Sequence, residues 1–267
     1  MLNQICKTFN NFPVFKNSCK INILEKSTYL KKIQKKKLNK KNIKWLNNLN
    51  KISNIPNIFI ANEFFDALPI KQFIKKKDKW YERYVDFTNI KKVHFNDILF
   101  NMENLEKKIK LDISKKQNFI EYSPQATNYL KLITNKIKKN NGGLLIIDYG
   151  YLESKLKNTI QAVSNHKYSN TLKNIGQSDI THNLSFNLFE KIIRELGPFN
   201  SVITNQRKFL IKMGIIERAE ILSRNLTFKK KADVFFRLKR LIDKSEMGDL
   251  FKVMLITNIK NKFKLGF

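Results

Sequence analysis

Asn62-Glu63-Phe64-Phe65-Asp66-Ala67-Leu68-Pro69 follows directly on the apolar run Ile58-Phe59-Ile60-Ala61, and this junction decides the fold class. Four apolar residues bounded by polar ones read as a buried strand. An amide and two carboxylates then stand at its carboxyl edge, where open α/β sheets bind ligands. Phe64 and Phe65 would anchor the turn in the core and leave the polar groups to a cleft. Such a cleft suits a cation, or the proton a cation gives up. The same residues also read as a capped turn, with Asp66 as N-cap of a helix begun by Ala67 and Leu68.

Outward from this junction, strands and helices alternate. Ile21 to Leu24 reads as a strand ending at Glu25. Ser27 caps a helix from Thr28 to Leu38 with Leu30, Ile33 and Leu38 inward, and Ile43 to Leu46 is a further strand. This alternation predicts βαβ units and a parallel sheet. Between Ile70 and about Phe100, Lys71 to Ile74 and Trp80 to Val85 flank the polar turn Lys75 to Lys79, an antiparallel hairpin inserted in the frame. Asn101 to Asn118 is a loop or a weak helix.

Ser123 and Pro124 suit the N-cap and first position of a helix that puts Ala126, Tyr129, Leu130, Ile133 and Ile137 on one face. It ends near Asn140. Asn141-Gly142-Gly143 leads into the apolar strand Leu144 to Ile147. That strand ends at Asp148-Tyr149-Gly150, with Gly150 freeing the backbone to turn. Gln161 to Thr181 has no clear period and holds His166 and Asp179, with His182 just beyond. Ser185 caps a helix through Leu196, stopped by Gly197-Pro198. Strands are expected near Ser201 to Thr204 and Phe209 to Met213, helices over Ile216 to Ser223 and Lys231 to Ile242, and a last strand at Leu250 to Thr257. With no repeat or long linker, residues 1–267 read as one domain with an insertion at about 70–118.

The chain carries 52 Lys plus Arg against 22 Asp plus Glu, a formal charge of +30. The excess is mostly Lys spread among Asn and Ile, the signature of an A/T-rich coding sequence, and no nucleic-acid motif accompanies it. The densest run, Lys31 to Lys41, reads as a solvated helix face. Cys6 and Cys19 without a CxxC give neither a zinc site nor a disulfide framework, and fit a reducing compartment. No apolar run approaches the ~18 residues of a membrane span, and Met1 to Lys20 has no signal-peptide core.

Several segments, in this order, resemble the MidA-type family, which includes the mitochondrial assembly factor of respiratory complex I that methylates arginine. They are Asn62 to Phe73, Glu121 to Pro124, Leu145 to Gly150, Asn158 to Val163 with His166, Asp179 to His182, Met213 to Glu220 and Arg240 to Val253. The resemblance implies a Rossmann-like class I methyltransferase using S-adenosyl-L-methionine. By resemblance, Glu25 holds the cofactor's ribose hydroxyls and Asn62 lies on the cofactor side. Glu63 and Asp66 grip the target guanidinium and take up its proton, His182 joins them in catalysis, and Asp148 binds substrate. The implied partner is a protein presenting an arginine, in the mitochondrial relative a complex I subunit. The implied compartment is the bacterial cytoplasm or the mitochondrial matrix. Taken alone, Glu25 also reads as the start of a helix, Asp148 as a turn cap, and His182, His94 and His166 as structural.

Members of that family carry an acidic, glycine-rich loop after the first strand, whereas the first glycine here is Gly142. The resemblance therefore implies a sheet lacking the usual first strand and glycine loop, with Met1 to Asn11 aligned to the helix after that loop. The neighbours' pairing edges would then be exposed. Beside a plain nucleic-acid binder, an arginine methyltransferase in complex I assembly, a methyltransferase with another acceptor such as a small molecule or a different side chain, and a non-catalytic assembly module of the same fold remain open. The last predicts no cofactor affinity.

Overall fold

A computed structural model describes residues 1–38, 43–89, 92–164, 167–173 and 175–267. His166 and the end of the Lys31 to Lys41 run lie outside the described residues. The chain divides into two compact units, Met1–Asn54 and Ile55–Phe267.

The first unit holds helices α1 (Leu2–Thr8) and α2 (Pro13–Ser18), strand β1 (Ile21–Leu24), helix α3 (Thr28–Leu38) and strand β2 (Ile43–Leu46). The two strands pair in parallel, from Ile21 opposite Ile43 to Leu24 opposite Leu46, as the alternation predicts. Ser27 Oγ accepts the Leu30 N–H at 3.2 Å, the expected N-cap. The inward face expected of α3 forms only in part: Ile33 and Leu38 are half-buried, Leu30 is 45% exposed, and no residue of the helix is fully buried. Two strands make too narrow a sheet to cover a helix's apolar stripe. Lys35, Lys36 and Lys37 face solvent.

The second unit begins with β3 (Asn57–Asn62), then β4 (Lys71–Lys76), β5 (Lys79–Asn89), β6 (Lys92–Leu99), α4 (Met102–Ile109), β7 (Phe119–Tyr122) and α5 (Pro124–Asn140). It continues with β8 (Gly142–Tyr151), β9 (Gln161–Ser164), β10 (Lys167–Ser169), β11 (Asp179–Thr181), β12 (Leu184–Ser185), α6 (Phe186–Leu196) and β13 (Phe199–Asn205). It closes with α7 (Gln206–Lys212), α8 (Ile215–Ser223), α9 (Phe228–Ile242), α10 (Met247–Leu250) and β14 (Phe251–Asn258).

Strand β8 is the hub of the main sheet. It pairs in parallel with β3 and β12 and antiparallel with β14, which in turn carries β13 antiparallel. The sheet is therefore mixed, with its antiparallel part at the C-terminal strands. Leu144 and Ile146 of β8 stand opposite Ile256 and Met254 of β14, and all four are fully buried, as are Leu130 and Ile137 of α5. Each such side chain contributes roughly 1.5–3 kcal/mol of transfer free energy. Ala126, Tyr129 and Ile133 complete the buried face of α5, matching the predicted stripe. Ser123 Oγ accepts the Ala126 N–H at 3.1 Å and donates to Pro69 O at 2.7 Å. The cap thus ties the helix start to the end of the acidic turn.

Gly142 is required where α5 passes into β8. Its φ is +110°, and a Cβ there would lie 1.9 Å from Asn57 O. Gly150 has another purpose than the expected turn. It sits inside β8, where a Cβ would come within 2.4 Å of Leu184 O and 2.6 Å of the Phe186 ring, so its small size lets β12 and α6 close on the strand. On its other side β3 has no strand partner among the described residues, and Ile58 and Ile60 are 76% and 46% exposed.

The insertion is larger than one hairpin. Strands β6, β5, β4 and β7 form an antiparallel sheet. The first turn is tighter than read from sequence, at Lys77 and Asp78, both with positive φ (43° and 64°), the backbone of a two-residue hairpin loop. The segment Asn101 to Asn118 contains α4, whose Asn101 Oδ1 accepts the Asn104 N–H at 3.1 Å. Gln161 to Thr181 supplies the small sheet β10-β9-β11. Phe209 to Met213, expected as a strand, lies largely in α7, because Asn205 Oδ1 caps a helix there by accepting the Lys208 N–H at 2.8 Å. A short apolar run cannot distinguish the two periods by itself.

Candidate active site

Strand β3 ends because Glu63 takes φ +47°. A non-glycine residue in the left-handed region costs on the order of 1–3 kcal/mol, and such residues gather at functional sites. Its N–H still donates to Ile147 O at 3.0 Å, and its side chain is exposed. Beyond it, Asp148 Oδ2 accepts the N–H groups of Phe64, Phe65 and Asp66 at 3.3, 3.0 and 3.4 Å. Asp148 Oδ1 accepts the Tyr149 N–H at 3.0 Å. Residues 65–68 form a turn closed by Leu68 N–H to Phe65 O at 3.2 Å, and no helix starts at Asp66. The phenylalanines anchor it as expected: Phe65 is fully buried, edge-on to Phe189 at 5.3 Å, and Phe64 packs on Tyr129 at 5.1 Å.

The predicted carboxylates thus sit at three depths. Glu63 is exposed, Asp66 is 4% exposed and Asp148 has no exposed surface. Asp148 spends its oxygens on backbone donors, so it shapes the turn and has no surface to offer a substrate. Burial, reinforced by the charge of Asp66, pushes its carboxyl up to about 7. Burial and the neighbouring Glu63 likewise raise Asp66. Asp66 Oδ1 is buried without a hydrogen-bond partner among the described residues. A buried polar atom left unpaired is costly.

His182 is brought to the same turn: its N–H donates to Asp66 O at 3.2 Å. The side chain is 7% exposed and its Nε2 has no partner among the described residues. Burial lowers its pKa, while Glu121 and backbone groups at Asn183, Phe65 and Leu68 act the other way, so the ring is held neutral against the turn. Glu121, unassigned from sequence, organises the wall behind it. Its Oε1 accepts from Gln72 Nε2 (2.8 Å) and from the N–H groups of Thr159 and Ile160 (3.0 and 3.1 Å), and its Oε2 accepts from Thr159 Oγ1 (2.5 Å). Thr159 Oγ1 in turn accepts the Asn183 N–H at 3.0 Å.

Tyr149 is the site residue that sequence reasoning missed. Its ring packs on Phe251 at 4.2 Å. Burial first, then the charges of Glu63, Asp66 and Asp148 and a hydrogen bond with Glu63, raise its phenol. With Asn62, whose Nδ2 donates to Glu63 Oε1 at 3.3 Å, it flanks the exposed carboxylate. The only sequence signal was its place next to Asp148.

In the first unit, Glu25 stands at the carboxyl end of β1. One oxygen accepts the Ser27 N–H and the other accepts Gln34 Nε2, both at 2.9 Å. Gln34 Oε1 accepts from Trp45 Nε1 at 2.9 Å. The carboxylate is thereby fixed in direction, and each oxygen keeps a lone pair for a hydroxyl donor. Among the described residues no cluster of His, Cys, Asp and Glu could hold a metal ion, and no helix is long and apolar enough to cross a membrane.

The model of a family described as "putative S-adenosyl-L-methionine-dependent methyltransferase" matches residues 1–203. The chain is 26% identical to protein arginine methyltransferase NDUFAF7, mitochondrial, of Xenopus laevis, over 99% of its own length and 66% of that protein's. It is 30% identical to the Caenorhabditis elegans homologue over 78% of its length and 48% of that protein's. It therefore spans about half to two thirds of these relatives. Two crystal structures from Burkholderia thailandensis, each 18% identical, share the fold. An uncharacterized protein has a TM-score of 0.80 over 98% of this chain and 72% of that one, and a second, bound to S-adenosyl-homocysteine, has 0.78 over 98% and 70%. The sheet is thus the Rossmann-like one expected from sequence.

Proposed function

The chain belongs to the family described as putative S-adenosyl-L-methionine-dependent methyltransferases, and from that premise we propose that it transfers methyl groups to an arginine of a protein. The observation that carries this reading is the acidic turn after β3. Glu63 is held exposed in a strained conformation, and behind it Asp66 keeps a buried acceptor with no donor among the described residues. In a chain of net charge +30, such a local excess of acceptors calls for a cation that the protein does not itself supply. A guanidinium, planar with a fork of donors, matches a carboxylate better than an ammonium does.

We assign Glu25 of the first unit to the cofactor's ribose hydroxyls, through its free lone pairs, and, separately, Asn62 of the second unit to the cofactor side. When bound, S-adenosyl-L-methionine would supply the methyl group from its sulfonium, the S–CH3 bond breaking to leave a neutral thioether. Glu63 aligns one guanidinium nitrogen, which forms the new N–C bond, and receives the surplus proton as that bond forms. Asp66 adds negative potential from below, while Asp148 and His182 position the turn. The curated relatives named as arginine methyltransferases support the acceptor. The relatives are named as mitochondrial, and the resemblance to the MidA-type family implies a role in respiratory complex I assembly.

Calorimetric titration of the 267-residue chain with S-adenosyl-L-methionine, followed by incubation of the labelled cofactor with arginine peptides, tests this reading. Saturable binding and label on arginine are expected. Binding to partner protein without any cofactor heat would instead favour the non-catalytic module. Glu25→Ala should weaken cofactor binding by about tenfold, the loss of roughly one charge-assisted hydrogen bond. An unchanged dissociation constant removes Glu25 from the site.

A further inference from the structure

Along the same carboxyl edge of the main sheet as the acidic turn, a cleft of about 540 Å³ opens between the end of β8, the end of β13 and the start of β14. That volume lies within the range of ligand sites. Resting on the arginine-transfer reading, we propose that this cleft seats the acceptor polypeptide beside its arginine and selects an acidic residue about three positions away.

The chemistry of the lining points there. Lys208 and Lys252 both line the cleft, and neither enters an ion pair with a carboxylate among the described residues. Among the described residues the Lys252 ammonium donates only to the backbone carbonyl of Asp249. Burial lowers its pKa against the pull of Asp249 and Glu153, so a ligand carboxylate would restore solvation that the protein withholds. The two acids of the lining are already engaged: Glu153 is paired with Lys157 at 2.7 Å, and Asp249 Oδ1 accepts Asn205 Nδ2 at 2.6 Å. Leu152 and Leu250, 46% and 45% exposed, form apolar lips.

The spacing comes from the sheet register. Asn62 lies opposite Ile147, and Asp148, one residue on, lies opposite Lys252, which lies opposite Asn205. From β3, where Glu63 follows, β14 is two strand spacings away, about 10 Å at ~4.8 Å each. An extended peptide covers that in about three residues at ~3.4 Å per residue. A polypeptide whose arginine lies at Glu63 therefore brings its third neighbour over Lys252.

The test is a position scan at constant composition, because a chain this basic attracts any acidic peptide. Fluorescent twelve-residue peptides carry one arginine and one aspartate, the aspartate placed one to six residues away, and binding is read by anisotropy near physiological salt. Affinity should peak by about tenfold with the aspartate two to four residues from the arginine. Lys252→Glu should abolish that peak and favour a lysine there; the exposed Lys208→Glu should at least halve the peak and serves if the first variant folds poorly. Affinity that ignores position, or a peak that survives in both folded variants, overturns the proposal. An aspartate-position peak that persists when the arginine is replaced by glutamine would keep the cleft and overturn the arginine reading. Label on arginine without any positional peak would do the reverse.

Discussion

Glu63→Gln lowers methyl transfer to an arginine peptide by about a hundredfold or more, while cofactor affinity stays nearly unchanged. The amide has almost the same shape, so the change removes charge and proton capacity. One carboxylate oxygen becomes an N–H₂ that faces the guanidinium donors, and the charge-assisted pair is lost. Because Glu63 is exposed, thermal stability should move by no more than about 0.5 kcal/mol. Glu63→Gly separates function from architecture further. It relieves the φ of +47° and should raise stability by about 1 kcal/mol or less, while transfer falls as far as in the glutamine variant. Single-turnover transfer and thermal melts measure both. Turnover like wild type in either variant would end the guanidinium-gripping role.

The features legible in the sequence were the local ones. The strand before the acidic turn, the two phenylalanine anchors, the Ser123 and Ser185 caps and the buried face of α5 follow from periodicity and capping chemistry within a few residues. What escaped depends on distant partners. Glu63 is left-handed because Asp148, more than eighty residues on, gathers the next three N–H groups into its carboxylate. No local pattern around either residue announces that. Tyr149 joins the site only because parallel pairing sets β8 beside β3. Strand β6 has many polar residues in its pattern, since only part of its sheet is covered, and α7 depends on a cap from Asn205 at the end of the preceding strand. The family resemblance pointed to the acids along the chain but not to their depths. Depth decides which of them meets a substrate.

The depth of Asp148 makes its removal a costly change to the fold. Asp148→Ala leaves the N–H groups of Phe64, Phe65, Asp66 and Tyr149 without their acceptor in a site with no exposed surface. Each buried orphan costs on the order of 1–3 kcal/mol. Partial relaxation and the lost repulsion with Asp66 offset some of this, so a net loss of about 3–5 kcal/mol is expected, read as a fall in denaturation midpoint. Asp148→Asn keeps an acceptor for the three turn donors and opposes one donor to the Tyr149 N–H, so it should cost well under half as much. The two variants also differ from wild type in pH dependence. The native Asp148 carboxyl holds its proton to about pH 7, against an ordinary aspartate value of 3.8, so between those values the folded state binds more protons than the unfolded chain. Stability then falls as pH rises through that window, and Asp66, also raised, adds to the same slope. The asparagine variant should lose the Asp148 share and flatten the profile between about pH 4 and 7. A wild-type slope that survives in Asp148→Asn would mean that the four backbone donors hold the carboxylate ionised and that burial does not govern its titration.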